Sequence, residues 1–189
     1  MPTYIGLLRA VNVGGTGKVR MEALRTLLSR MGLEGVQTLL QSGNVVFRSR
    51  DSDNARVEGQ LEARIMKDLN VATQVFVRSV EEWSAIVGNN PFSREAVEAP
   101  QYLHMMALKA APSPEGWKAL KAAIPGRELL REGDRCAYFV YPDGVGTSRL
   151  TSALIEKHLA TRGTLRNWNT VTKLAVLAAS VENPSSGSR

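Results

Sequence analysis

The hydrophobic positions of the chain change period in a regular order. Tyr4 to Val11 is a nearly continuous apolar run, which predicts a buried strand, and Met21, Leu24, Leu28 and Met31 then recur at helical spacing with Gly32 as the stop. Val36 to Leu40 and Val45 to Phe47 predict two strands joined across Ser42-Gly43-Asn44, a composition suited to a tight hairpin. Val57, Leu61, Ile65 and Leu69 predict a second helix, and Thr73 to Val77 a fourth strand. The order strand-helix-strand-strand-helix-strand is the split βαβ, ferredoxin-like pattern.

After a short helix around Glu81 to Val87 and an irregular stretch through Asn89-Asn90-Pro91-Phe92, the order restarts. Tyr102 to Lys109 is strand-like. Ser113-Pro114-Glu115 has a capping hydroxyl, a proline at the first helical position and an acid in the first turn, with Trp117, Leu120 and Ile124 as the apolar face. Glu128 to Arg131 and Cys136 to Tyr141 predict a second hairpin turning at Gly133-Asp134, and a helix from about Ser148 to Thr161 completes the repeat. Asn169 is placed as the cap of a last helix whose apolar positions are Val171, Leu174, Ala178 and Val181. The expectation is an α/β (α+β) chain of two ferredoxin-like halves with antiparallel sheets and an added C-terminal helix. Residues 1–80 form the first half, 81–100 a connector, 101–181 the second half with the helix, and 182–189 a disordered tail. Duplication rests on element order alone, because the halves share no obvious residue identity.

Length and composition fit this picture: 189 residues, 43% of them hydrophobic, bury an ordinary core. No stretch reaches the ~18 consecutive apolar residues of a membrane span, and the N-terminus lacks the pattern of a signal peptide, so a cytoplasmic location without membrane partners is expected. Cys136 is the only cysteine, which rules out an intramolecular disulfide and a cysteine-rich zinc site. The net charge of +6 is unevenly spread. Residues 1–50 carry seven basic and two acidic side chains, residues 51–100 five and nine, and residues 151–189 five and two. Positive charge thus gathers where two polar motifs lie, as an anionic ligand or solvated helix faces would require.

The first motif is Asn12-Val13-Gly14-Gly15-Thr16-Gly17-Lys18, between a strand and a helix, where backbone N–H groups and the helix dipole can cradle a phosphate. It is not a Walker A loop, because Asn12 and Val19 stand where a glycine and a Ser or Thr belong, and Arg20 replaces the third glycine of the dinucleotide pattern. No cofactor is therefore expected. The connectivity of a split βαβ sheet brings the end of the first strand to the start of the third. Arg9, Asn12, Lys18, Gln41, Ser42 and Asn44 should line that edge. The second motif is Arg166-Asn167-Trp168-Asn169-Thr170, with Lys173 one turn beyond Asn169. Either Trp168 anchors the helix and Arg166 pairs with a carboxylate, or Arg166, Asn167, Asn169 and Lys173 contact a ligand. An RNA-recognition sheet is disfavoured, since Asn44-Val45-Val46-Phe47-Arg48 offers a single aromatic. His104 and His158 lack metal-ligand spacing, Cys136 on a strand reads as a buried thiol, and Asp143 in Tyr141-Pro142-Asp143-Gly144 reads as a turn residue. No catalytic residue and no metal site follow.

Four segments together carry a family resemblance: Leu7-Leu8-Arg9-Ala10-Val11-Asn12-Val13-Gly14-Gly15, Gln41-Ser42-Gly43-Asn44-Val45-Val46-Phe47, Tyr141-Pro142-Asp143-Gly144-Val145-Gly146, and Arg166-Asn167-Trp168-Asn169-Thr170-Val171 with Lys173-Leu174. In identity and order, over residues 3 to about 178, they resemble the bacterial domain-of-unknown-function family numbered 1697. Ala10 departs from the glycine frequent in that family. The resemblance implies two ferredoxin-like halves and marks Arg9, Asn12, Gly14, Gly15, Gln41, Ser42, Gly43, Asn44, Arg166, Asn167, Trp168, Asn169 and Lys173 as signature positions, without assigning an activity. The function expected is binding of an anion, a phosphorylated metabolite or nucleic acid, between the Gly-rich loop and the Arg166 to Lys173 segment. The alternatives are an enzyme acting on a phosphorylated or carboxylate substrate, or signatures that are purely structural.

Overall fold

The computed structural model describes residues 1–13 and 17–183. Gly14, Gly15 and Thr16 of the Gly-rich loop lie outside the described residues, as does all of the tail after Asn183. The first half runs β1 (Thr3–Leu8), α1 (Met21–Arg30), β2 (Glu34–Leu39), β3 (Asn44–Arg48), α2 (Asn54–Leu69) and β4 (Val75–Ser79). Its sheet has the order β2-β3-β1-β4, antiparallel throughout. Alternation along the strands sends Tyr4, Leu8, Val45, Phe47, Val75 and Val77 to one face, where α1 contributes Leu24 and Leu28 and α2 contributes Val57, Leu61 and Ile65. Asp53 fixes the start of α2 by accepting from the N–H groups of Ala55 and Arg56 at 2.9 and 3.2 Å, and Asn70 ends the helix in the left-handed region.

Two further helices, α3 (Val80–Gly88) and α4 (Ser93–Glu98), precede the second half. That half runs β5 (Leu103–Leu108), α5 (Pro114–Ala122), β6 (Leu129–Gly133), β7 (Cys136–Val140), α6 (Ser152–Leu159) and β8 (Gly163–Asn167), and α7 (Trp168–Glu182) closes the fold. The sheet order, β6-β7-β5-β8, repeats that of the first half. Ser113 caps α5 through the Gly116 N–H at 3.1 Å with Pro114 at the first helical position. The helix expected from Ser148 begins only at Ser152, capped by Thr151. Ser148 stays in the preceding turn, where its Oγ accepts from Leu150 N at 3.0 Å.

The largest departure from the sequence reading is β8. Gly163 to Asn167 forms the edge strand paired with β5, with Met105 opposite Arg166 and Leu108 opposite Gly163. The equivalence of the halves extends to individual hydrogen bonds. Leu8 N donates to Gly43 O at 2.8 Å and Leu108 N to Arg135 O at 2.9 Å; Arg9 N donates to Gln74 O and Lys109 N to Arg162 O, both at 2.9 Å. Helix carboxylates hold the first N–H of β4 and of β8, Glu62 taking Val75 N at 2.8 Å and Glu156 taking Gly163 N at 3.0 Å. Arg78 and Arg166 then occupy matching, buried positions of β4 and β8. The chain divides into two compact units, Met1–Ser84 joined by the chain from Lys173 on, and Ala85–Thr172, so both α3 and α7 pass from one unit to the other. Among the described residues, no helix is long and apolar enough to cross a membrane.

Candidate functional site

The first candidate site lies at one end of the first sheet, and Asn12 organises it. Its Nδ2 donates to Gln41 O at 2.6 Å and to Val19 O at 2.9 Å, while its Oδ1 accepts from Val19 N at 2.8 Å. One amide thereby ties the loop after β1 both to its own far side and to the β2–β3 hairpin. Three residues here have left-handed backbone, Ala10, Asn12 and Leu40 at φ +54°, +56° and +59°, a region that asparagine tolerates and that alanine and leucine do not favour. Left-handed backbone costs a residue with a Cβ roughly 1–2 kcal/mol, so it persists only where the surroundings impose it. Gly43, at φ +73°, is obligatory for a second reason: an added Cβ would stand 2.5 Å from Val11 Cγ2 and 2.7 Å from Leu8 Cβ.

Six of the sequence-predicted residues meet at this edge. Arg9 is half-buried, its backbone held by Gln74 O and by the Thr73 hydroxyl, which donates to Arg9 O at 2.8 Å. Lys18 and Gln41 are exposed. Asn44 is fully buried and donates to Leu39 O at 3.0 Å and to Ser42 Oγ at 2.8 Å, so its amide and Ser42 shape the hairpin. Gly14 and Gly15 lie outside the described residues.

The C-terminal signature divides into buried and exposed members. Arg166 is 9% exposed, and its Nη1 donates to Thr164 Oγ1 at 2.8 Å and Leu165 O at 2.9 Å. Burial pulls its guanidinium down to about 10 from the ordinary arginine value, which still leaves it cationic at neutral pH. The residue that caps α7 is Asn167, not Asn169: its Oδ1 accepts from Asn169 N at 3.0 Å, and its Nδ2 donates to Gln101 O at 2.9 Å. Asn167 has this role because β8 runs straight into α7, which places it immediately before the first helical residue. Trp168 is buried beside Tyr138, with ring centroids 6.4 Å apart. Asn169 and Lys173 are exposed.

A second polar constellation went unread in the sequence. Arg127, Glu128, Tyr141, Asp143, Ser148 and Arg149 line a cleft of about 140 Å³ between the segment after α5 and the turn after β7. Arg127 pairs with Asp143, its Nε lying 3.3 Å from Oδ2, and Glu128 accepts the Ser148 hydroxyl. Tyr141 is held well above the usual phenol value, first by burial and then by the Glu128 carboxylate. The Tyr141-Pro142-Asp143-Gly144 signature was the available signal, but its composition is also that of an ordinary turn. Among the described residues no cluster of three or more His, Cys, Asp or Glu could hold a metal ion.

The fold is similar to that of a solved structure described as the conserved bacterial protein SP0830 from Streptococcus pneumoniae. The TM-score is 0.74 at 23% sequence identity, covering 94% of this chain and 98% of that one. No curated protein matches the chain. The model of the family described as protein of unknown function (DUF1697) matches residues 1–138, and with nearly three quarters of its length so matched the chain belongs to that family.

Proposed function

We propose that the protein binds an anion at the end of the first sheet, with Arg9 and Lys18 as the cationic contacts and Asn12 as the residue that sets the loop. The ligand chemistry is a phosphate group, carried by a small metabolite or by nucleic acid. The observation that supports this reading most is the convergence of three left-handed non-glycine residues and one three-bonded amide where the loop after β1 meets the β2–β3 hairpin. Strained backbone of this kind gathers at binding sites. Charge adds to it, since residues 1–50 hold seven basic against two acidic side chains. Arg166 and Asn167 have partners within β8, α7 and the segment before β5, which account for them without a ligand.

The test is titration of the protein with inorganic phosphate, a nucleoside monophosphate and a short single-stranded oligonucleotide at two salt concentrations. Arg9→Ala and Lys18→Ala should each weaken binding by roughly 10- to 100-fold, the scale of one charge-assisted hydrogen bond. A steep loss with salt for the oligonucleotide alone identifies nucleic acid as the carrier. Absence of binding by all three probes, or affinity unchanged in both variants, refutes the proposal.

A further inference from the structure

Two apolar side chains are exposed at the edge of the first sheet, Val13 at 64% and Leu40 at 56%. Each is the chain neighbour of one partner in the 2.6 Å bond from Asn12 Nδ2 to Gln41 O, which puts its Cα about 3.8 Å from that of the bonded residue. A single exposed aliphatic side chain is ordinary, but two flanking one hydrogen bond form a patch. Leu40 is disfavoured on a second count. Its φ of +59° lies in the left-handed region, where asparagine and glycine fit and leucine does not. With more than half its surface in water it adds little to the core, and the apolar cluster behind the sheet is built from Leu8 and Val11 instead.

Gln41 completes the set. Its carbonyl is engaged by Asn12, whereas its exposed side-chain amide makes no hydrogen bond among the described residues. Lys18, exposed at the same edge, brings the positive charge. These groups discriminate between carriers of a phosphate. Inorganic phosphate and sugar phosphates are polar throughout and gain nothing from Val13 and Leu40. An alkyl phosphate would use the two aliphatic side chains but leave the amide idle. A nucleobase uses all three: its flat face packs on apolar side chains, and its edge pairs a donor with an acceptor, which a glutamine amide matches at adenine.

We infer that this edge takes a nucleoside phosphate, with the phosphate on Arg9 and Lys18 and the base on Val13, Leu40 and Gln41; the inference rests on the anion site proposed above. The full chain is titrated by calorimetry with adenosine 5′-monophosphate, ribose 5-phosphate and hexyl phosphate at one pH and ionic strength. The nucleotide should bind about tenfold more tightly than either of the others. Leu40→Asn and Gln41→Ala should each remove most of that preference, with the urea midpoint of Leu40→Asn equal to or above that of wild type, because asparagine suits the left-handed backbone. A single-stranded oligonucleotide that binds more tightly than the monophosphate makes a strand the source of the base; equal or weaker binding makes it the free nucleotide. If ribose 5-phosphate or hexyl phosphate matches the nucleotide, the base contact is overturned while the anion site stands, and if none of the three binds, both fall. Preference retained in both variants, or a lower midpoint for Leu40→Asn, also overturns the inference.

Discussion

Asn12 offers a direct measure of what the edge of the first sheet costs and gains. Its side chain makes three hydrogen bonds, at 2.6, 2.8 and 2.9 Å, from a backbone at φ +56°. Each contributes about 0.5–1.5 kcal/mol net, and the one to Gln41 O is exposed, so together they should be worth about 2–3 kcal/mol. Replacement by alanine also removes the residue type that tolerates the left-handed region, adding about 1 kcal/mol. Asn12→Ala should therefore destabilise by about 3–4 kcal/mol and Asn12→Gly, which loses the same bonds without the strain, by about 1 kcal/mol less. Urea unfolding followed by circular dichroism measures both, with the midpoint falling at constant slope. If Asn12→Gly costs under about 0.5 kcal/mol, the amide holds nothing together. If the two variants are equal, the strain assigned to this position is wrong.

Other perturbations reach different parts of the molecule. Gly43→Ala combines a left-handed backbone with contacts of 2.5 and 2.7 Å to Val11 and Leu8, and should cost about 2–5 kcal/mol by the same unfolding assay. Trp168→Ala empties a site 4% exposed beside Tyr138 and should cost about 3–5 kcal/mol, read in calorimetry as a large drop in Tm. Burial lowers the pKa of His104, partly offset by its contact with the Tyr102 carbonyl. The folded form then binds a proton less readily than the unfolded chain, so stability is full above the unfolded value of about 6.5 and declines as pH falls through it toward the lower folded value. Thermal melts between about pH 5 and 7.5 should show this decline, and His104→Phe should flatten it.

The sequence was most legible where apolar spacing and a capping residue agreed. Leu24 and Leu28 on α1, Leu61 and Ile65 on α2, and Ser113-Pro114 on α5 are examples. The convergence of Asn12 with the Gln41 to Asn44 hairpin followed from strand connectivity alone, and it is present. β8 was hidden because its face pattern is written in polar residues. Thr164 and Arg166 are both buried, and Arg166 bonds to Thr164 and to its own strand, so a strand resembled a cluster of ligand contacts. Its counterpart β4 was easier, because Val75, Phe76 and Val77 precede the equivalent Arg78. The repeat of the fold was likewise invisible in residue identity: what the halves share is mainly backbone geometry, such as the paired bonds of Leu8 and Leu108.

The discontinuity of the first unit governs the order in which this chain can be made. Gly35 of β2, at φ +60°, has no room for a side chain because Val181 Cγ1 would be 2.9 Å away, and Val181 belongs to the last turns of α7. Residues 85–172 must therefore be synthesised before the first unit receives its final helix. At about 5–20 residues per second that interval lasts roughly 5–20 s, during which the first sheet exists without the helix that packs on Gly35.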